Sequence, residues 1–392
     1  MRDVRITGLG VASAAGGSTE ETLAHFKEGR RHAGPSSLVK TCLSQPVFEA
    51  KCIPPVADES MMRTFHLAMH AVREAIASAN LDIASKELRV GVCLGTTVAC
   101  QLNDVEFLTA FRETGQAPMA PVDRFLKGNL AAAAARELGV EGPSVTVTNA
   151  CASGTDAIGI ASSWIKAGIC DVAIAGGADE LNRVPLAGFN SLGILSPELC
   201  APFDVNRQGL NLGEGAGVVV LESASMAKKR GVCRDLFVAG FGTACDAYHL
   251  TSPRPDGAFL KVAIQRALSE AALVSEDIAF VNAHGTATPD NDRVEGAVLA
   301  DVFGPKVVML STKGYTGHTL GAAGGLEAVF SALALRAGWI PLCAGFSERD
   351  PNIPVAPVKE LTAIHGRYAL STSLAFGGGN SAVVIGCDKE AG

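Results

Sequence analysis

The sequence predicts an α/β fold in which a largely parallel or mixed sheet is covered by helices on both faces. Short β-branched runs alternate with helical stretches from end to end, which is the order of repeated βα units. The 392-residue chain is 48% hydrophobic, holds 43 glycines and has only 19% charged residues, a composition typical of a close-packed interior and not of disorder. This length allows two ordinary domains or one large fused unit.

The predicted elements follow this alternation along the chain. Strands are predicted at residues 4–7, 90–94, 145–148, 172–175, 218–221, 280–282, 307–310 and 382–385. Helices are predicted at residues 20–28, 62–78, 131–138, 155–167, 259–272, 294–303 and 325–336.

An internal duplication is indicated by two 18-residue segments, 151–168 and 321–338, which align without gaps and agree at four positions. Each has a glycine-rich turn, a buried helix and an Ala-Gly stop before a new strand. Charged residues cluster between apolar runs at 228–235. We therefore predict two related halves, residues 1–235 and 236–392.

The charge and the cysteine pattern exclude several classes of protein. A net charge of −7 argues against nucleic acid as the main partner, because phosphate binding needs a basic face. The 11 cysteines are odd in number and form no Cys-x-x-Cys pair, and the N-terminus has no apolar signal core. No stretch is apolar enough to span a bilayer once its glycines and charges are counted. We expect reduced thiols in a cytoplasmic protein.

Cys151 is the candidate nucleophile. It lies in the segment VTVTNACASG, where a β-branched strand runs into a small-residue turn and a helix begins directly afterwards. Unpaired N–H groups and the positive end of the helix dipole favour a thiolate at such a position. The small neighbours leave room around the sulfur, although a buried structural cysteine would also fit the pattern.

Two histidines follow predicted strands on small-residue loops. His284 lies in FVNAHGTATP, and His318 lies with Lys313 in STKGYTGHTLGAAGG. A lone histidine is usually a satisfied core or surface residue, but two in this setting are less easily explained that way. A cysteine can hold an acyl group while two imidazoles donate hydrogen bonds to an oxygen that becomes anionic.

The glycine run in STSLAFGGGN, residues 371–380, permits backbone angles that are closed to other residues and lets an N–H group approach a ligand. A tight turn before the last strand is the alternative interpretation.

Two further motifs are rejected. Gly8 and Gly10 resemble the start of a dinucleotide fingerprint, but Ser13 stands where the third glycine should be and no acidic residue follows at the usual distance. His66 and His70 are spaced i, i+4, yet no glutamate lies between them as in the zinc-protease motif. Neither nucleotide nor metal binding is predicted.

The ordered motifs resemble the elongating β-ketoacyl-[acyl carrier protein] synthases of the thiolase-like superfamily. In chain order these are ITGLGVAS, NACASG, AIAGGADE, PFDVNRQGLNLGEGAG, DAYHLTSP, NAHGTATP, STKGYTGHTLGAAGG and FGGGN. The resemblance implies two similar βαβαβαββ halves in five layers, α-β-α-β-α, and usually a dimer, here a homodimer or a heterodimer with a chain-length-factor-like subunit. It also implies substrates carried on the phosphopantetheine of an acyl carrier protein, with no other cofactor and no metal.

The resemblance also implies the chemistry. Cys151 would accept an acyl chain, and a malonyl-carrier thioester would then lose carbon dioxide to form an enolate stabilised by His284 and His318. The carbanion would attack the acyl group on Cys151 and release a 3-oxoacyl carrier protein. The backbone N–H groups of Cys151 and Phe376 would form the oxyanion hole, and Phe376 would gate the malonyl pocket.

Supporting roles follow from the same matched positions. Lys313 and Glu295 match an ion pair that organises the site, Glu327 matches an acidic residue below it, and Asn380 ends the FGGGN loop. Hydrogen bonds to pantetheine are assigned to Thr286, Thr288 and Ser252.

Three departures from the family pattern affect specificity. Ala375 and Gly379 replace a glycine and a threonine of the gating loop, and Asp156 stands where histidine is common. They favour a specialised polyketide or polyene substrate over an ordinary saturated acyl chain.

Three other functions were weighed. A chain-length-factor partner normally lacks the nucleophilic cysteine, a thiolase needs a second cysteine where FGGGN has none, and an unrelated Cys-His hydrolase would not explain the duplicated halves.

Overall fold

The computed structural model describes residues 3–54, 61–85, 87–99, 105–127, 129–232 and 235–388. The strands are β1 (Val4–Ser13), β2 (Val90–Gly95), β3 (Ser144–Val147), β4 (Val172–Asp179), β5 (Gly215–Ser223), β6 (Leu236–Cys245), β7 (Ile278–Asn282), β8 (Met309–Leu310), β9 (Trp339–Ile340), β10 (Thr362–Ala363), β11 (Tyr368–Leu374) and β12 (Gly379–Cys387). The α-helices are α1 (Thr19–Glu28), α2 (Arg63–Ser78), α3 (Val105–Thr114), α4 (Ala120–Lys127), α5 (Leu130–Leu138), α6 (Ser153–Ala167), α7 (Arg183–Ser191), α8 (Ala224–Lys229), α9 (Ala258–Ala271), α10 (Pro289–Phe303), α11 (Lys313–Thr316) and α12 (Ala323–Ala337).

Ten of these strands follow one another in the order β3-β2-β4-β5-β1-β6-β12-β11-β7-β8. The first five and the last five are mirror images in this order, and they meet at one residue pair, Arg5 opposite Phe237. In each half the three outermost strands pair with each other in parallel. The two strands nearest the other half pair antiparallel with their neighbours. The predicted mixed sheet and the two βαβαβαββ halves are confirmed. That the halves divide at residue 235 stays a prediction, and part of the charged segment 228–235 lies outside the described residues.

The helices complete five layers. Helices α6 and α12 contact each other and strands of both halves, so they form the middle layer. Helices α2 and α5 cover the outer face of the first half, while α9, with α10 beside it, covers that of the second. The central pair approaches closely because Gly154 has no side chain: a Cβ there would lie 2.7 Å from the backbone nitrogen of Gly325.

Helix α12 is strongly apolar, and nearly all its residues are buried. The stretch Leu320–Ala337 has the length and hydropathy of a membrane span, but 89% of it is buried inside the protein. Burial between two sheet halves is the ordinary environment of a core helix that is apolar all round. Its N-terminal end places the preceding loop, which carries His318, at the middle of the molecule.

Candidate active site

Cys151 lies in the turn between β3 and α6 and is only 5% exposed. The turn is strained, because Ala150 has a φ of +41°, in the left-handed region that non-glycine residues rarely adopt. The Ser153 hydroxyl stabilises it by donating to the Ala150 carbonyl at 2.6 Å and accepting the Asn149 N–H at 2.8 Å. The sulfur is therefore fixed by its own turn.

His318 meets this sulfur from the loop before α12. Its Nε2 lies 3.0 Å from Cys151 Sγ. The backbone of His318 is fixed on both sides, since its N–H donates to Asn211 at 2.7 Å and its carbonyl accepts from Gly213 at 3.1 Å. The thiol and the imidazole are thus within hydrogen-bond distance of each other.

His284 completes the group from the loop after β7. Its ring lies 5.2 Å from that of His318, with the planes perpendicular. The ammonium of Lys313 lies 3.1 Å from His284 Nδ1. Because an ammonium can only donate, Nδ1 must accept, and the His284 proton resides on Nε2.

Both imidazoles are neutral near pH 7. Burial, reinforced by the positive charge of Lys313, holds the pKa of His284 and that of His318 well below 6.5. A neutral imidazole carries one N–H group, which can donate a hydrogen bond to a developing oxyanion.

Burial opposes the thiolate that the helix N-terminus favours at Cys151. Burial raises the pKa of the thiol to about 12, although Lys313 and the backbone N–H of Phe376 act in the opposite direction. Loss of hydration outweighs the helix terminus at a fully enclosed sulfur. The resting nucleophile is a thiol beside a neutral imidazole.

The predicted ion pair between Lys313 and Glu295 is also wrong. Lys313 pairs with Glu327 of α12, and both side chains are buried. Burial raises the pKa of Glu327 to about 7, with the charge of Lys313 opposing the rise. Lys313 thus links one carboxylate to one imidazole, Glu327 on one side and His284 on the other.

Glu295 holds the His284 loop instead. Its carboxylate accepts the N–H groups of His284 and Gly285, each at 2.8 Å, and the Thr372 hydroxyl at 2.7 Å. A buried carboxylate satisfied by backbone donors fixes the loop that it caps.

Asp292, which was not among the predicted site residues, also stabilises the His284 loop through its carboxylate. It accepts the N–H of Phe203 at 2.6 Å and that of Ala287 at 3.2 Å, tying a distant loop to the His284 loop. Asp292 and Glu295 lie three residues apart at the start of α10, on one helix face. An Asp-x-x-Glu spacing directly after the histidine motif was the signal in the sequence.

A cavity of about 410 Å³ opens onto these groups. Its walls include all the predicted residues except the three that lie behind the histidines: Cys151, His284, His318, Thr286, Thr288, Ser252, Phe376 and Asn380. Lys313, Glu295 and Glu327 make up the buried layer behind it. Within the described ranges, no group of three or more His, Cys, Asp or Glu side chains could hold a metal ion.

The gating loop, residues 375–380, covers one side of the cavity. Phe376 stacks on Phe189 with ring centroids 5.3 Å apart, and Phe189 meets His318 edge-on at 6.4 Å. The Phe376 N–H faces the sulfur of Cys151. Phe189 was not predicted, because nothing in its own segment distinguishes it from a packing residue.

The end of the gating loop is anchored by Asn380. Its amide donates to Asp246 at 2.8 Å and to the Gly378 carbonyl at 3.0 Å. Asp246 is the first residue of the DAYHLTSP segment, so its bond with Asn380 joins the gating loop to that segment, and it also accepts the N–H of Arg254 at 2.9 Å. That segment was recognised as a family motif, but the role of its aspartate was not predicted.

Comparison with known proteins agrees with this geometry. Residues 1–227 match the family model of the β-ketoacyl synthase N-terminal domain, and residues 237–347 match that of the C-terminal domain. A 3-oxoacyl-[acyl-carrier-protein] synthase 2 of Staphylococcus aureus is 34% identical over 339 residues, covering 83% of this chain and 84% of the relative. The tetracenomycin polyketide synthase ketoacyl synthase alpha subunit of Streptomyces glaucescens is 32% identical, covering 99% of this chain and 97% of the relative.

Among solved structures, the ishigamide ketosynthase/chain length factor superposes with a TM-score of 0.91 at 33% identity, covering 98% of this chain and 99% of that one. Both family domains are matched in order, and full-length relatives share the thiolase-like fold. The protein therefore belongs to the β-ketoacyl synthase family of acyl-transferring condensing enzymes.

Proposed function

We propose that the chain condenses an acyl group held on Cys151 with malonyl-[acyl carrier protein] and releases a 3-oxoacyl-[acyl carrier protein] two carbons longer. The observation that carries this proposal is the division of labour in one cavity. Cys151 Sγ lies 3.0 Å from His318 Nε2, while the contact with Lys313 fixes His284 as a donor through Nε2.

The first step is transfer of the acyl group. Cys151 Sγ attacks the carbonyl carbon of the donor thioester and loses its proton as the new S–C bond forms, while His318 keeps its ring proton on Nε2 and donates a hydrogen bond to the sulfur. The old S–C bond breaks, and the proton passes to the departing pantetheine thiolate. The N–H groups of Cys151 and Phe376 receive the transient oxyanion, for which one such donor is typically worth about 10²–10³ in rate.

The second step is decarboxylation. Malonyl-carrier enters the vacated channel, and the bond between its carboxylate and Cα breaks to give carbon dioxide. The electron pair moves into an enolate whose oxygen accepts hydrogen bonds from His284 and His318. Donors already aimed at the developing charge need no rearrangement when it appears.

The third step forms the new carbon–carbon bond. The enolate carbon attacks the carbonyl of the acyl thioester on Cys151, whose oxyanion occupies the same two N–H groups. The S–C bond to Cys151 breaks, and the thiolate takes one proton from solvent, which restores the resting thiol and balances the carbon dioxide lost from the malonyl carboxylate.

The chain needs no cofactor of its own in this scheme, because both substrates arrive on phosphopantetheine. Three hydroxyl side chains on the cavity wall fit a polar pantetheine arm: Thr286, Thr288 and Ser252. The Thr286 and Thr288 hydroxyls lie 2.9 Å apart and can exchange this bond for one to the arm.

The pathway is fatty-acid or type II polyketide or polyene synthesis. Named relatives belong to both kinds of synthesis. The changes at Asp156, Ala375 and Gly379 favour the specialised branch. We place the protein in the cytoplasm, where the carrier-bound substrates are made.

A second chain, identical or of the chain-length-factor type, completes the assembly. Strand β3 is an edge strand, and its Val145 is exposed. Four further large apolar side chains on or beside α3 and α4 are exposed: Leu108, Phe111, Met119 and Leu126. A monomer rarely leaves such a set uncovered.

The test is intact-protein mass spectrometry after incubation with acyl-carrier and acyl-coenzyme A donors, followed by peptide mapping. We expect a mass gain on Cys151 and, after malonyl-carrier is added, a 3-oxoacyl product. No labelling by any donor, alone or with a co-purified partner, would overturn the proposal in favour of a non-catalytic subunit.

A further inference from the structure

The base of the gating loop rests on the side chain of Asn149. A Cβ placed on Gly379 would lie 2.8 Å from Asn149 Oδ1 and 3.0 Å from its Nδ2. Its three nearest atoms all belong to that one side chain. Real Cβ atoms essentially never approach another group so closely, so the lack of a side chain at 379 is matched to the presence of the amide at 149.

The amide cannot simply swing away, because it is anchored. Asn149 Nδ2 donates to Asp156 at 2.7 Å, and the other oxygen of Asp156 accepts the Ser381 hydroxyl at 2.5 Å. Ser381 also lies 3.1 Å from the Thr243 hydroxyl. This chain of polar contacts joins the nucleophile turn, helix α6 and strand β12, all next to the cavity.

Both ends of the contact lie close to the reacting atoms. Asn149 precedes Cys151 by two residues, and Gly379 follows Phe376 by three. Between them, Gly377 and Gly378 have φ values of 85° and 86°, which give the loop little intrinsic stiffness. Backbone hydrogen bonds hold the loop from one side, since the Gly377 N–H donates to the Leu250 carbonyl at 2.7 Å and the Ala375 N–H to that of Gly379 at 2.7 Å. Asn149 adds the contact from the side of the nucleophile turn.

We propose that Asn149 is a positioning residue that supports the gating loop and so keeps the Phe376 N–H in place for the oxyanion hole. The absence of a side chain at Gly379 leaves the space that the Asn149 amide occupies. The inference rests on the proposed condensation, since it assigns the Phe376 N–H a role there. The departure at Gly379 is then an accommodation to Asn149, and the aspartate at 156 is the anchor that keeps the amide in place.

The test is a double-mutant cycle with Gly379→Ala, Asn149→Ala and the double variant. Gly379→Ala should lower the rate of Cys151 acylation at least about 10-fold, because the new methyl group displaces either the amide or the loop. Asn149→Ala should lower it about 3- to 10-fold through loss of support. The double variant should lie within about 3-fold of Asn149→Ala, since each change makes room for the other.

Gly34→Ala is the matched control, because a Cβ at Gly34 meets nothing within 4 Å, and it should acylate at the wild-type rate. The acylation rate constant is determined for the fraction of protein whose Cys151 can be labelled, so that unfolded protein does not lower it. KM for the acyl donor should stay within about 3-fold in all variants, since the wall of the pantetheine channel is unchanged.

The outcomes separate the two proposals. If wild-type protein neither acylates nor condenses, the proposed function fails. If wild type is active but the effects of the two single changes multiply in the double variant, or Gly379→Ala acts like wild type, the role of Asn149 is refuted. Should Gly379→Ala be insoluble, a soluble and active double variant supports the role, and an insoluble one overturns it.

Discussion

Replacing Lys313 by methionine tests the buried pair that organises this site. The change keeps the bulk of the side chain and removes both the donor to His284 and the charge opposite Glu327. Side-chain exposures of 2% and 3% leave the pair no solvent to compensate for the loss. Removing one partner of such a pair typically costs about 3–5 kcal/mol of unfolding free energy, because the remaining charge is buried alone.

The unfolding free energy that Lys313→Met loses should increase as the pH rises. Burial already raises the pKa of Glu327 above its ordinary value, and Lys313 opposes that rise. Without Lys313 the pKa rises further, so the native state binds a proton that the unfolded chain has released. Stability of the variant should then fall as pH increases from 6 to 8, more steeply than that of the wild type.

Urea denaturation at pH 6 and pH 8 measures both effects. Lys313→Met with Glu327→Gln should recover most of the loss, because it removes the unpaired charge. Lys261→Met is the control, since Lys261 pairs with Asp301 at an exposed site and should cost only about 0–1 kcal/mol. A Lys313→Met cost no larger than this control, or no recovery in the double variant, would refute the reasoning. Decarboxylation should be lost in Lys313→Met and in its double variant with Glu327→Gln, since the ammonium that fixes the tautomer of His284 is missing from each.

Three further substitutions test the division of roles. Cys151→Ala should abolish acyl transfer with an unchanged melting temperature, and continued elongation by this variant would mean that the nucleophile is misassigned. Cys151→Gln, which imitates the acylated state, should release carbon dioxide from malonyl-carrier without condensation, as measured by gas or radiolabel release. His318→Ala should lose decarboxylation yet keep some acyl-enzyme formation in a mass-spectrometric assay, and loss of acylation alone would reverse that assignment.

The ordered motifs predicted the fold and the cavity residues because those that carry His284, His318 and Cys151 are loops that follow strand ends, and such loops have their own sequence signature. Strands β6 and β11 were missed, since LFVAGFGTAC and YALSTSL mix glycine or hydroxyl residues into their apolar runs. Strand β8 was predicted too long, because residues 307–308 are apolar but lie outside the ladder.

What failed was the pairing of residues far apart in sequence. Glu295 precedes Lys313 and Glu327 follows it, neither is its neighbour in sequence, and only packing decides which of these buried acids the ammonium reaches. The effect of burial on Cys151 could not be predicted for a related reason. A helix N-terminus can be recognised locally, whereas the desolvation that raises the Cys151 pKa is a property of the whole cavity.

The charges around the cavity explain why a protonated thiol and two neutral imidazoles suit this reaction. A permanent thiolate beside His318 would draw a proton onto that ring, and the resulting ion pair would have to be broken before an enolate oxygen could take its place. Lys313 opposes any such protonation of His318 and His284, because a second buried cation near its ammonium is unfavourable. Burial and the Lys313 ammonium together therefore keep both imidazoles neutral, and Glu327 keeps the ammonium in position. The negative charge that the malonyl carboxylate brings into the cavity moves to the thioester oxygen on decarboxylation, which is when the preorganised N–H donors contribute most.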